Sequence, residues 1–176
     1  MLLVILVLLH GLAPTPGFCG TEGTTATGSN QVKGVKPFPL DFDSGSMALH
    51  ALGSSLEAYG QSMSYHRVVA MSGTAFKFVY DTTEAYEPLR DLYPIDALKT
   101  ASDGAGFRDA HWETDKPIEV VKAIVKGEID KGRTVIAPFL KDDPHRGFFI
   151  ITGYDFDSGI FYLQGAFSDS TYVTVP

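Results

Sequence analysis

Only one cysteine occurs in the chain, Cys19, so an intrachain disulfide is excluded and there is no cysteine cluster for structural zinc. The five histidines include no pair spaced to put two ligands on one helix face, which removes the common helical zinc motif. Glycines are frequent, yet none builds the GxxxxGK loop that cradles phosphates. Positive charge is scarce: the first cationic side chain is Lys33, and the net charge is −7. With a pI near 5.1, neither nucleic acid nor an anionic membrane surface is an expected partner. No cofactor and no metal are expected.

Long apolar runs are also lacking, with one exception. Leu2 to Leu9 is unbroken, too short to span a bilayer and close in length to the core of a signal peptide. No Lys or Arg precedes it, which makes the signal atypical. Residues 1–20 are therefore read as a signal segment, and the chain as exported to the periplasm or the cell exterior. Cys19 stands where a bacterial lipoprotein signal places its lipidated cysteine, and GTEGTTATGSNQVKG behind it resembles a tether. Phe18 occupies the place of the small residue such a signal needs. A cleaved secretory signal is thus the first expectation, and a membrane tether through Cys19 the alternative.

What is present is globular. Hydrophobic content is 44% and aromatic content 12%, enough to build a core across one domain of this length. Residues 21–36 are Gly/Thr/Ser-rich and read as a flexible linker. The folded domain is assigned to 37–176, beginning at the extended Lys36-Pro37-Phe38-Pro39. The chain stops at Pro176 directly after a predicted strand, an ending expected of a C-terminally truncated fragment.

The stretch DFDSGSMALHALGSSLEAYG, residues 41–60, organises the domain. Leu49, Leu52, Leu56 and Tyr59 form one helical stripe, and Gly60 is the natural stop. Its first turn carries Ser44 and Ser46, at the end where N–H groups and the macrodipole stabilise negative charge. Capping is the ordinary role of serine there. Ser64 caps a second helix through Val68 and Met71 that ends at Ser72-Gly73, and Pro94 opens a third with Ile95, Leu98 and Ala101 inward. Pro117 opens a fourth, with Ile118, Val121, Val125 and Ile129 as its stripe and Gly132 as its end. Strands are expected at 134–140, 148–154, 160–163 and 171–175, with Asp157-Ser158-Gly159 turning a hairpin. Helices first and antiparallel strands afterwards give an α+β domain.

The pentapeptide DFDSG occurs at both 41–45 and 155–159. Calcium loops need more oxygen ligands and a distal Glu, so turn chemistry is the expectation. His50 and His66 fall inside helices and read as packing or capping residues. His111 beside Trp112 reads as core, with a cleft wall as the alternative.

The order of these pieces resembles the papain-like cysteine peptidase superfamily. It is most similar to the bacteriocin-leader peptidases and to the N-terminal domain of the butirosin-biosynthesis acyltransferase. The resemblance covers about residues 40–165. Ser44-Gly45-Ser46-Met47-Ala48-Leu49 to Tyr59-Gly60 is similar to the family's nucleophile helix, with Ser44 where cysteine is expected. Ser72-Gly73-Thr74-Ala75-Phe76 resembles an element of the acyltransferase-like members. Ile129-Asp130-Lys131-Gly132-Arg133-Thr134-Val135-Ile136 looks like the run that feeds their sheet. Phe148-Phe149-Ile150-Ile151-Thr152-Gly153-Tyr154-Asp155 is similar to the strand that carries the family histidine at its head. That histidine aligns near Gly147, and the nearest one present is His145. The third member of the triad aligns at Gln164, whose amide orients an imidazole without stabilising its cation as a carboxylate does.

The resemblance implies a papain-like fold, with helices packed on a C-terminal antiparallel sheet, and ancestral acyl transfer through an acyl-enzyme. Three departures from one pattern imply a peptidase-like or acyltransferase-like pseudoenzyme that binds a peptide or acyl ligand in the old cleft. An active serine-type hydrolase or acyltransferase using Ser44, His145 and Gln164 is the second expectation, and a lipid-tethered surface interaction module the third.

Overall fold

The computed structural model describes residues 5–7, 28–38, 46–76, 94–108, 110–113, 116–138, 148–165 and 171–174. In chain order the elements are β1 (Ile5–Val7), β2 (Ser29–Gln31), α1 (Met47–Ala58), α2 (Tyr65–Ser72), α3 (Pro94–Gly104), β3 (His111–Glu113), α4 (Ile118–Ile129), β4 (Val135–Pro138), β5 (Phe148–Asp155), β6 (Ile160–Gln164) and β7 (Thr171–Thr174). They form an α+β domain around one antiparallel sheet of order β3-β1-β4-β5-β6-β7, with β2 paired to β5.

The helices stop where glycine allows a left-handed turn. Gly60 has φ +78°; its N–H donates to the Glu57 carbonyl at 2.9 Å and that of Gln61 to the Leu56 carbonyl at 2.9 Å. The same pair of bonds recurs after α4, from Gly132 to Ile129 and from Arg133 to Glu128. These reclaim carbonyls that a helix end leaves unpaired. At the start of α2 the Ser64 hydroxyl accepts from the Arg67 N–H, as expected of a cap.

The sheet is covered on both faces. Ile136, Phe148 and Ile150 join α1, α2 and α3 in one core, with Leu49, Leu52, Leu56, Val68 and Leu98 fully buried. Val135, Ala137, Phe149 and Ile151 join Val121, Val125 and Ile129 of α4 in a second core. Alternation along β4 and β5 divides these sets, because successive strand side chains point to opposite faces. Burying both faces explains why Phe148 to Tyr154 is buried at every position, where a half-solvated strand would alternate. Hydrophobic periodicity predicted the four helices; that α4 lies across the sheet from the other three emerges only from the assembled fold.

β5 carries an irregularity that resets this alternation. Ile151 pairs with Leu163, but Gly153 pairs with Tyr162, so Thr152 is one residue extra on β5. Its hydroxyl donates to the Tyr162 carbonyl at 3.3 Å. Before Thr152 the α4 face takes odd positions of β5; after it, Tyr154 faces the α4 core.

β4 and β2 lie end to end along one side of β5: Val135 to Pro138 pair with Ile151 to Phe148, and Ser29 to Gln31 pair with Asp155 to Gly153. Residues 29–31, assigned to the linker by composition, are therefore a strand, and Val32 behind them is buried. The approach is close. A Cβ on Gly153 would lie 2.5 Å from the Asn30 carbonyl oxygen and 2.9 Å from the Gln31 Cβ. Gly153→Ala is expected to cost about 1–3 kcal/mol in a urea denaturation series and to free β2, because the contact is with backbone that has nowhere to go. An unchanged midpoint, with residues 29–31 still protected from amide exchange, would show that β2 does not dock on β5.

Candidate functional site

The expected site residues fall differently. Ser44 and His145 lie outside the described residues. Gln164 ends β6 opposite Ile150, is 8% exposed, and shares with Ile150 the face of the sheet that α1 covers.

α1 is held at both ends. At its C-terminal end Tyr59, Ser55 and Thr134 form a hydroxyl knot. The Thr134 N–H donates to the Tyr59 hydroxyl at 2.6 Å, their hydroxyls lie 2.8 Å apart, and Thr134 Oγ1 donates to Ser55 Oγ at 3.1 Å. Ser55 and Thr134 are fully buried, so the knot satisfies groups that would otherwise be costly inside the core. Burial pushes the Tyr59 hydroxyl above its ordinary value of 10.0, against the hydrogen bonds from Thr134, so it stays neutral.

At the N-terminal end Ser46 occupies the cap position with an extended backbone, but its side chain makes no capping bond. Its N–H instead donates to the Tyr65 hydroxyl at 2.9 Å. The Tyr65 ring stacks on His50, with centroids 3.7 Å apart and planes 5° from parallel. The first residue of α2 thus pins the first turn of α1, and His50 packs as expected. Sequence reading missed Tyr65, because a contact between residues 19 positions apart leaves no local pattern. Met47 and Ala48 of that first turn join Phe148, at the head of β5, in one core.

The Ser72-Gly73-Thr74-Ala75-Phe76 element closes α2. Ser72 Oγ donates to the Val69 carbonyl at 2.7 Å and lies 2.7 Å from Thr74 Oγ1, while Phe76 is 78% exposed. His111 Nε2 lies 3.5 Å from Glu113 Oε1, and the half-buried Trp112 packs against the α1 core. The second DFDSG is a turn: Asp155 Oδ1 accepts from the backbone N–H groups of Asp157 and Ser158, each at 3.1 Å, and Oδ2 accepts from Ser158 Oγ at 2.9 Å. These bonds hold the Asp155 carboxyl below its ordinary 3.8. The first copy lies outside the described residues. Among the described residues no three His, Cys, Asp or Glu side chains gather closely enough to hold a metal ion, and no helix is long and apolar enough to cross a membrane.

A polar cluster that the sequence did not announce closes the far face. Tyr154 donates to Asp130 Oδ1 at 2.7 Å, Asn30 Nδ2 to the same oxygen at 3.0 Å, and Lys126 Nζ to Asp130 Oδ2 at 2.5 Å and to the Tyr154 hydroxyl at 3.0 Å. Burial alone would raise the Asp130 carboxyl; the bonds from Lys126, Asn30 and Tyr154 outweigh it and hold the group below its ordinary value. The bonds to Asp130 and Tyr154 push Lys126 up. Burial pushes the Tyr154 hydroxyl up, which disqualifies it as a base at neutral pH.

Comparison with known proteins gives no match: no family model, curated protein or solved structure matches the chain.

Two predictions come from these clusters. Tyr59→Phe leaves the buried Thr134 N–H without its acceptor and is expected to cost about 1–3 kcal/mol by chemical denaturation. A cost near zero would mean that water replaces the hydroxyl. The second concerns pH. A carboxyl depressed below 3.8 on folding contributes stability above that value and loses it as pH falls through the folded one; a Lys raised above 10.5 contributes below 10.5 and loses it as pH rises. The stability gap between the parent and Asp130→Asn should therefore be flat near neutrality and shrink only below 3.8. A gap unchanged through that acid range would assign the effect of Asp130 to packing.

Proposed function

We propose that this chain is an exported papain-like domain in which Ser44 replaces the family's nucleophilic cysteine, and that it binds a peptide or acyl-type ligand in the former active-site cleft without turning it over. The observation that carries the reading is the seating of α1. A helix whose N-terminal approach is small and polar buries its Met47, Leu49, Leu52 and Leu56 face in the core it shares with an antiparallel sheet, with Gln164 on the face it covers.

Loss of chemistry is supported by residue type. A serine hydroxyl ionises far less readily than a thiol and needs a base within hydrogen-bond reach. A carboxamide at Gln164 leaves an imidazolium without its counter-charge. The domain keeps the cleft architecture and lacks the proton path.

Ser44→Cys in a Cys19→Ser background tests the reading, with iodoacetamide labelling followed by mass. The expected outcome is slow labelling, as of a thiol with an ordinary pKa of about 8.5, and no labelling of the parent by a serine-reactive phosphonate. Rapid labelling at neutral pH that His145→Ala abolishes would overturn it. It would establish instead an active hydrolase or acyltransferase with Ser44 as nucleophile, His145 as base and Gln164 as orienter.

A further inference from the structure

β1 occupies an unusual place. Its Ile5, Leu6 and Val7 pair antiparallel with Glu113, Trp112 and His111 of β3 on one side, and Leu6 and Val7 with Ile136 and Val135 of β4 on the other. Among the described strands β3 has β1 as its sole neighbour, and β4 is bonded to β5 on its opposite side. Both neighbours run antiparallel to β1, so they run parallel to each other, about 10 Å apart across the strand between them. Ile5–Val7 also lies within the apolar run assigned above to the signal segment. Removing it takes out the strand between β3 and β4, not a strand at the sheet's edge.

We propose that release of the N-terminal segment opens a strand-addition slot between β3 and β4, and that the mature domain takes up an extended apolar peptide there, its chain antiparallel to both walls. The proposal rests on the reading of an exported peptide-binding domain and names where and how the peptide binds. Unpaired N–H and C=O groups on two facing edges need an incoming backbone, and a single extended chain satisfies both rows at once. The walls select an apolar occupant. Ile136 and the neighbouring Trp112 belong to or pack on the α1 core, while Val135 belongs to the α4 core. A charged side chain entering between them would be stripped of water on either face. In the uncut chain, Ile5–Val7 supplies that occupant, so the precursor carries its own ligand mimic.

Trp112, the sole tryptophan, pairs with Leu6 and reports occupancy directly. The full chain, carrying an engineered protease site within residues 21–27, is folded, cut, and mixed with a dansyl-labelled peptide of residues 2–9 flanked by lysines. Uptake is expected as saturable energy transfer from Trp112. Amide exchange of residues 111–113 is expected to be slow in the uncut chain, at least about tenfold faster once the leader is displaced by dilution, and slow again with peptide bound. The same peptide N-methylated at Leu6 keeps its side chains but loses the ladder, and is expected not to bind. Equal binding of the N-methylated peptide would overturn the proposal, as would unprotected amides in the uncut chain. Dimerisation of the cut chain without peptide uptake would overturn it in favour of a second copy as occupant. Intact mass of the exported protein reports leader removal separately, and Ser44 takes no part in this assay, so failure of the slot and failure of the cleft reading are told apart.

Discussion

Two consecutive residues at the entry to β4 tie the helices of opposite faces to one sheet. Arg133 turns to α4, where its Nε donates to Glu128 Oε2 at 2.5 Å, and Thr134 turns to α1, where it meets Tyr59 and Ser55. Strand alternation makes this division unavoidable, and all the layering follows from it. Glu128 and Arg133 are 5% and 8% exposed. Such a pair adds little net stability compared with apolar residues of the same volume, but losing one partner strands the other and costs about 3–5 kcal/mol. Its role is to fix where α4 ends relative to the sheet.

With the helices tied at that point, the apolar faces do the rest. Leu49, Leu52 and Leu56 on one side, and Val121, Val125 and Ile129 on the other, are withdrawn from water almost entirely. Each fully buried side chain of this size is worth about 1.5–3 kcal/mol against exposure. The hydroxyl knot and the Tyr154–Asp130–Lys126 cluster sit at the margins of these cores. There they satisfy polar groups and set register, and the knot around Tyr59 holds the C-terminal end of α1 in a single position.

Much of this is legible in the sequence. Gly60 and Gly132 mark their helix ends because the left-handed turn is a local requirement, and Asp157-Ser158-Gly159 marks the hairpin for the same reason. Stripes at helical spacing give α1 and α4 their buried faces, but periodicity carries no information on which side of a sheet a helix settles. β2 escaped because Ser29, Asn30 and Gln31 are polar and exposed; the fact that makes them a strand is the missing side chain of Gly153, far along the chain. At the candidate site, Gln164 falls on the α1 face as a partner of Ile150, whereas Ser44 and His145 lie outside the described residues. The stack of Tyr65 on His50 depends on two helices meeting, which no window along the sequence contains.

Thr152 makes β5 a strand with two reading frames. Upstream, the residues that meet α4 are counted from Phe149 and Ile151; downstream, from Tyr154. A deletion in a loop only shortens the loop. Deletion of Thr152 itself removes only the extra residue and keeps Ile151 and Tyr154 on the α4 face in plain alternation, whereas deletion at Ile150 would leave the strand apolar yet turn its upstream half over against the downstream half. Composition would be blind to such a change. The extra residue is therefore a punctuation mark: a chain of this fold without it must move its aromatic one position earlier to say the same thing to α4.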